Sequence, residues 1–397
     1  MTAHLITDTF LIYGLVATCA MVGLLIHSPS AIRHAFYESF LAIHQFLALV
    51  AFVGILLHCT NQSLPQKPFV IALGVIWVIE RCLRVLRILY LRSNTVQVEA
   101  LEDGACRLTF QIKGSWPNQP GRHIYTYIPS ISAWMSHPFS VAWVDRNPWN
   151  PVLNKESQTI STNSSETDFQ PMPTEQKQTA ISCIVASRTG MTKRLYDKAK
   201  KSPTKMITLR AWVEGPYGTA ENMRSYGTVL LFSGGAGITF QLSQVKDLID
   251  SINAGTAATK RVALYWSVRN KGSLSWAKRW LDEMRAQELR GGAELKIVQY
   301  VTRRSCEVPS TPSLQDTEAG KKEEQTINVR EREKEADIRY GRMDVTKVIE
   351  EEFENRISSM NVSVCGPGGL ADDVRTATRE FMGRGGVVDF EEECFTW

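Results

Sequence analysis

A chain of 397 residues and 44.6 kDa has room for two or three domains at the usual ~100–200 residues each, which excludes a small disulfide scaffold. Apolar residues make up 44% and charged residues 22%, a globular composition, and a net charge of +4 gives no ground for a nucleic-acid partner. The eight cysteines form no CxxC pair and no regular spacing, so neither a zinc site nor a disulfide framework is indicated and a reducing, cytosol-facing compartment fits best.

The mean hydropathy of −0.16 averages over an uneven distribution, because the long apolar runs fall in the first ninety residues. Residues 10–27, 40–58 and 69–90 each reach the ~17–25 residues needed to cross the hydrocarbon layer, which predicts a membrane domain over 1–93. The third segment carries Glu80, Arg81, Arg84 and Arg87, so its apolar core is its first half. These arginines with Arg92, and Arg33 in the first short loop, place both basic sites on the cytosolic side by the positive-inside rule. The loop from Thr60 to Lys67 is then outside, and everything after about residue 93 is cytosolic.

Residues 96–130 alternate apolar and polar with Gly and Pro punctuation, which reads as antiparallel strands of a small β-barrel spanning 94–218. From Gly227 the pattern becomes strand, Gly-rich turn, helix, strand, helix, as in a parallel α/β sheet, and a domain is expected over 219–397. Two polar stretches, 147–179 and 304–337, read as disordered insertions, and a sequon at Asn163 in the first should face the cytosol.

His44 and His58 lie fourteen residues apart in the second span; at about 100° per residue they return to within ~40° of one face, ~21 Å apart along the axis. Histidine inside a bilayer is costly, and a neutral imidazole is a standard axial ligand of haem iron. Two interfacial histidines near the ends of a helix are the competing reading. No other span carries a histidine pair at this spacing, although His4, His27 and His34 flank the first.

Six cytosolic segments carry chemistry. Trp134-Met-Ser-His137-Pro138-Phe139-Ser140 offers an aromatic for a flavin ring, a hydroxyl for its polar edge and a histidine toward a diphosphate. Arg188-Thr-Gly190-Met-Thr192 leads by a glycine turn into a helix-like run whose free amides suit an anion, or simply form a capped helix. Glu214-Gly-Pro-Tyr-Gly218 is a tight turn at the expected domain boundary. Phe232-Ser-Gly234-Gly235-Ala-Gly237-Ile238-Thr239 follows a strand and precedes a helix, the context of a dinucleotide pyrophosphate turn, without strict GxGxxG order. Ser267, Arg269 and Lys271 end the next strand where a 2′-phosphate could be met, and Cys365-Gly366-Pro367-Gly-Gly again places a strand before a glycine turn, with Cys365 beside a nicotinamide or merely buried. The chain ends on aromatics, and Trp397 is a candidate to cover a flavin ring.

In this order, after a helix with His-x13-His, HPFS, RTGMT, GPYG, FSGGAGIT, CGPGG and the terminal FEEECFTW closely resemble the fungal ferric reductase family, related to the NADPH oxidases within the ferredoxin-reductase-like superfamily. The resemblance covers nearly the whole chain from about residue 28. It implies an FAD-binding barrel, an NADPH-binding α/β domain and an N-terminal b-haem membrane domain. It further implies FAD contacts at His137, Pro138, Phe139, Ser140, Gly190 and Thr192, and NADP(H) contacts at Gly234, Gly235, Gly237, Ile238, Gly366 and Pro367, to which the reading of the residues adds Ser267 and Arg269. Cys365 and Trp397 fall at the hydride-transfer centre, and His44 and His58 on one of two haem-ligating helices. The partner helix of the family should precede residue 1, as in an N-terminally truncated form.

The resulting expectation is an integral protein of the plasma membrane that moves electrons from cytosolic NADPH through FAD and haem b to extracellular Fe(III) or Cu(II) chelates, in iron uptake. A homodimer or a full-length partner could complete the haem sites. A superoxide-forming NADPH oxidase, a membrane-anchored NADPH–FAD diaphorase without haem and a regulatory subunit are the alternatives.

Overall fold

The computed structural model describes residues 8–29, 37–91, 94–112, 116, 119–132, 135–145, 179–303, 338–384 and 387–393. The chain divides into two compact units, one holding the helices as far as Tyr90 and the other running from Leu91 to Phe395.

The first unit has three long helices among its described residues: α1 (Thr9–His27), α2 (Tyr37–Asn61) and α3 (Lys67–Leu91). Asp8 caps α1 by accepting the Phe10 N–H at 3.0 Å. Small residues let α1 and α2 approach closely, since a Cβ on Gly54 would lie 3.1 Å from that of Ala17 and one on Gly23 3.3 Å from Leu47. That is how apolar helices associate where lipid offers no hydrophobic drive. Gly74 of α3 receives the Phe52 ring in the same way. By length and composition, α1 and the stretch of α2 from Glu38 can cross a membrane. The third expected span is a helix of 25 residues, but Glu80, Arg81, Arg84 and Arg87 interrupt its apolar run and it does not qualify on the same terms.

The second unit begins with antiparallel strands. β1 (Thr95–Leu101), β2 (Ala105–Ile112), β3 (His123–Tyr127), β4 (Ser136–Ser140), β5 (Trp143–Asp145), β6 (Thr179–Ala186), β7 (Met206–Arg210) and β8 (Trp212–Tyr217) form two sheets, ordered β5-β6-β2-β1-β7 and β4-β3-β8. Val96 and Val98 of β1 are buried while Thr95 and Gln97 are exposed and Glu99 is half-buried, the period-two pattern of a strand with one buried face, and at its end Ala100 and Leu101 are both buried. The helix α4 (Gly190–Lys200) packs Met191, Leu195 and Ala199 against these strands and leaves its lysines outside.

After Tyr217 the topology becomes parallel. β9 (Thr228–Gly234), α5 (Ile238–Asn253), β10 (Arg261–Val268), α6 (Lys278–Arg285), β11 (Glu294–Val301), β12 (Ile338–Tyr340), α7 (Val345–Glu354), β13 (Met360–Cys365), α8 (Gly368–Met382) and β14 (Val388–Glu393) build a sheet ordered β12-β11-β10-β9-β13-β14. Every residue of β9 is buried, as expected of a central parallel strand covered on both faces.

On either side of the expected division near residue 218 the chain has an apolar cluster of its own, one with Val98, Phe110 and Ile181 and one with Phe232, Val362 and Phe381, and a third cluster is shared between them. Leu101, Ala105, Trp143 and Ile184 of the barrel belong to the same apolar cluster as Trp266, Trp280 and Leu248 of the parallel domain. Of the two expected insertions, 304–337 and all of 147–179 except Thr179 lie outside the described residues, and Thr179 itself opens β6.

Candidate active site

The two glycine turns of the parallel domain interlock at the carboxyl edge of its sheet. β9 and β13 are neighbours with Ser233 opposite Cys365, so the turns that follow them meet. A Cβ on Gly237 would lie 2.1 Å from the Cys365 carbonyl oxygen, one on Gly234 2.4 Å from Pro367 Cδ, and one on Gly366 2.9 Å from the Gly234 nitrogen. Gly235 differs: its φ is +54°, and a Cβ there would meet nothing within 4 Å. The same openness holds at Gly368 and Gly369. Three glycines therefore close the backbone on itself and three leave room above it, the shape needed for amides to approach a pyrophosphate at the start of α5.

Ile238 is fully buried at the head of α5, and the Thr239 hydroxyl donates to the Ala236 carbonyl at 2.8 Å, tightening the turn. Beneath it the Trp266 indole N–H donates to the Gly235 carbonyl at 3.0 Å from a wholly buried side chain. Sequence reading passed over Trp266, which in the strand RVALYWSV looks like any core aromatic. The Ser233 hydroxyl, directly below the turns, is buried with no hydrogen-bond partner among the described residues. Ser267, next to last in β10, lies opposite Gly234 and is half-buried, and Arg269 follows the strand exposed. Cys365 is fully enclosed.

The HPFS residues form β4, paired with β3 so that His137 faces Thr126 and Phe139 faces Ile124. His137 and Phe139 share one face of the strand, their rings within 15° of parallel and 6.5 Å apart, while Pro138 and Ser140 project from the other. Across β3, Glu214 is a fully buried carboxylate that accepts hydrogen bonds from the Tyr127 and Tyr217 hydroxyls. Tyr217 in turn meets Tyr125 edge-on at 5.6 Å and His123 at 5.9 Å. Burial holds the His123 imidazole below its ordinary range, keeping this aromatic group uncharged at neutral pH. Gly190 has a φ of +60°, and the Thr192 hydroxyl closes the turn before α4, accepting from the Arg188 N–H and donating to the Thr189 carbonyl, each at 3.1 Å. Trp134 and Trp397 lie outside the described residues.

In the helical unit His58 stacks on Phe10, centroids 3.9 Å apart, with its Nδ1 2.8 Å from the Phe10 carbonyl oxygen. A proton on Nδ1 donated to that carbonyl leaves Nε2 with the free lone pair that a metal ligand needs. Nδ1 of His44 is buried and has no hydrogen-bond partner among the described residues. Both imidazoles thus fit the donor chemistry of haem iron. Opposite them, however, the described residues set phenylalanines: Phe40 lies between the rings of His27 and His44, at 5.0 Å and 5.4 Å.

Two further electrostatic clusters mark the parallel domain. Glu352 is buried; burial alone would raise its carboxyl, but Arg261, Lys296 and the Tyr265 hydroxyl all donate to it and hold it down at about 2. On β14 the Glu391 carboxyl is pushed up to about 7, chiefly by burial and further by Glu221 and Asp389, despite the Asn361 amide donating to it at 2.8 Å. Groups of three or more His, Cys, Asp or Glu able to hold a metal ion are absent among the described residues.

Three family models match the chain in succession: the ferric reductase like transmembrane component over residues 1–55, an FAD-binding domain over 90–221 and the ferric reductase NAD binding domain over 226–379. Ferric/cupric reductase transmembrane component 2 of Saccharomyces cerevisiae is 24% identical over 97% of this chain and 50% of its own length. Its counterpart of the same title in Schizosaccharomyces pombe is 25% identical over 79% of this chain and 57% of its own. Respiratory burst oxidase homolog protein B of Solanum tuberosum is 24% identical over 81% and 37% respectively. The chain spans about half the length of the curated relatives it matches. With transmembrane, FAD-binding and NAD-binding matches in the order of its helices, barrel and parallel sheet, the chain belongs to the ferric reductase family.

Proposed function

We propose that this chain is an NADPH-dependent transmembrane metal reductase that takes a hydride from cytosolic NADPH and delivers two electrons, one each, to two extracellular Fe(III) or Cu(II) ions held as chelates, releasing NADP+ and a proton. The observation that carries this reading is the pair of interlocked glycine turns at Gly234–Gly237 and Gly366–Gly369, open above Gly235, in a parallel domain that shares an apolar cluster with the barrel through Ile238, Trp266, Trp143 and Ile184. When bound, FAD supplies two-electron uptake with one-electron release and haem b supplies single-electron conduction across the apolar layer.

The protein's own residues act by placement. Gly235, Gly237 and Ile238 offer amides to the pyrophosphate of NADPH, Ser267 and Arg269 meet its 2′-phosphate, and Cys365 with Gly366 and Pro367 bounds the nicotinamide end. His137, Pro138, Phe139 and Ser140 would hold the flavin, with the turn at Gly190 and Thr192 toward its diphosphate, and Trp397, outside the described residues, is assigned to the hydride-transfer centre. The role of this machinery is to bring two rings into attack contact, since hydride transfer needs no added acid or base from the protein. His44 and His58 each offer one imidazole to haem iron. Any further ligand to the iron would come from outside the described residues, as from a second copy of this chain. On this reading the barrel and parallel domain lie in the cytosol of a cell with the helices in its plasma membrane.

The phenylalanines beside His44 and His58 favour one second reading, a membrane-anchored NADPH–FAD diaphorase. The deciding experiment is the visible spectrum and flavin content of the detergent-purified chain, oxidised and dithionite-reduced, together with NADPH oxidation. A reduced Soret band with sharp α and β bands that His44→Ala or His58→Ala abolishes supports the reductase. Flavin and NADPH oxidation without haem leave the diaphorase; superoxide formed in place of metal reduction leaves the oxidase, and nucleotide binding without turnover the regulatory subunit.

A further inference from the structure

The loop that carries Arg269 and Lys271 is fastened at several points to the barrel, and the fastener is the β1–β2 turn. Asp103 sits at its tip with φ +53°, followed by Gly104 at +77°, a conformation that Asp and Gly tolerate. Its Oδ1 accepts from the Asn270 amide at 3.3 Å and its Oδ2 from the Ser273 hydroxyl at 3.0 Å, and Ser273 is buried. Gly272 lets the two loops approach, because a Cβ there would lie 2.7 Å from Asp103 Oδ2. One residue away the Trp276 indole donates to the Glu102 carbonyl at 2.7 Å, and Arg107 of β2 donates to the Trp276 carbonyl at 3.0 Å. Asn270 stands directly between Arg269 and Lys271.

We infer that Asp103, a residue of the flavin-side barrel, is a positioning residue for recognition of the 2′-phosphate of the nucleotide: it fixes Asn270 and Ser273 so that Arg269 and Lys271 are held in place before the ligand arrives. This rests on the reading of Arg269 as a 2′-phosphate contact. Ordering a loop in advance removes an entropic cost that binding would otherwise carry. A carboxylate near an anion site would by charge alone oppose phosphate binding, so the two roles predict opposite signs.

The test uses the full chain in detergent, with 2′,5′-ADP and 5′-AMP as probes that lack nicotinamide. Dissociation constants are measured by calorimetry for wild type, Asp103→Asn, Ser273→Ala and Arg269→Ala, with bound FAD and the thermal midpoint as checks on folding. Asp103→Asn keeps the turn, removes the charge and can accept at only one oxygen. It and Ser273→Ala should each weaken 2′,5′-ADP by roughly 3–10-fold, the scale of one lost hydrogen bond, and leave 5′-AMP unchanged. Tighter or unchanged 2′,5′-ADP binding in both, with Arg269→Ala weakening it, overturns the positioning role and leaves the Arg269 contact standing. No effect of Arg269→Ala overturns that contact and the inference together.

Discussion

Ser233 and Cys365 stand directly opposite each other on adjacent parallel strands, although 131 positions separate them in the sequence. This pairing makes one site of two glycine motifs. It brings the Cys365 carbonyl onto Gly237 and Pro367 onto Gly234, so each turn is a wall of the other. The glycines of the first motif consequently serve different ends, and substitution should separate them.

Gly237→Ala puts a methyl group where the Cys365 carbonyl already lies, and backbone cannot swing aside as a flexible side chain can. We expect a loss of about 2–4 kcal/mol of stability together with loss of NADP+ binding. Gly235→Ala meets no neighbour but forces alanine into a left-handed conformation, a smaller cost of about 1–2 kcal/mol. Thermal melts of the two variants, with NADP+ titrations, check the order; equal effects would contradict it.

Trp266→Phe keeps most of the apolar volume and deletes the N–H that holds the Gly235 carbonyl. The expected outcome is a stability loss of about 1–2 kcal/mol and a several-fold weaker NADP+ complex, with bound FAD unchanged because β4 lies in the other sheet system. Isothermal titration with NADP+ and the flavin absorbance of the same sample decide it.

Much of this architecture is legible in the sequence because its signals are local. Alternation marks β1, a continuous apolar run marks β9, and each glycine motif sits where a strand must turn into a helix. The helix pair α1–α2 follows from length and hydropathy alone. What sequence could not show depends on contacts between distant segments. Asp103 and Gly104 read as a plain turn, yet the turn is seated on Ser273. Glu352, third in an acidic run, reads as solvated, yet it lies on the face of α7 turned to Arg261 and Lys296. The helix of the third expected span is legible from its length, and the four charged residues that interrupt its apolar run are plain in the sequence as well.

Glu352→Gln should be among the most damaging single changes in the parallel domain. It leaves Arg261 and Lys296 facing a neutral amide in a site where Glu352 is only 1% exposed. Removing one partner of a buried pair costs about 3–5 kcal/mol, because the remaining charge is no longer compensated. Arg261 retains Glu294, which should bring the loss toward the lower end. Chemical denaturation at neutral pH measures it. The same carboxyl, held at about 2 against its ordinary 4.5, contributes stability that is complete above pH 4.5 and disappears as pH falls toward 2.

Glu391 should give the opposite dependence. Burial raises its carboxyl from 4.5 to about 7, so the folded chain binds this proton more tightly than the unfolded chain does. The stabilisation from this group is complete below pH 4.5 and is lost as pH rises to about 7, after which it changes no further. The groups facing it are Glu221 and Asp389, both acidic, and the Asn361 amide; the Tyr226 hydroxyl donates to Asp389 at 2.7 Å and not to Glu391. No cation among these offsets the ionised form. Glu391→Gln keeps an acceptor for Asn361 and removes the charge, so the variant should gain on the order of 1–3 kcal/mol at pH 8 and nothing at pH 4.5. Thermal midpoints of wild type and variant, taken at intervals between these values, should converge at the acidic end and part through pH 7. Parallel curves across the whole range would mean that the carboxyl titrates as an ordinary surface acid and that β14 holds its edge of the sheet without it.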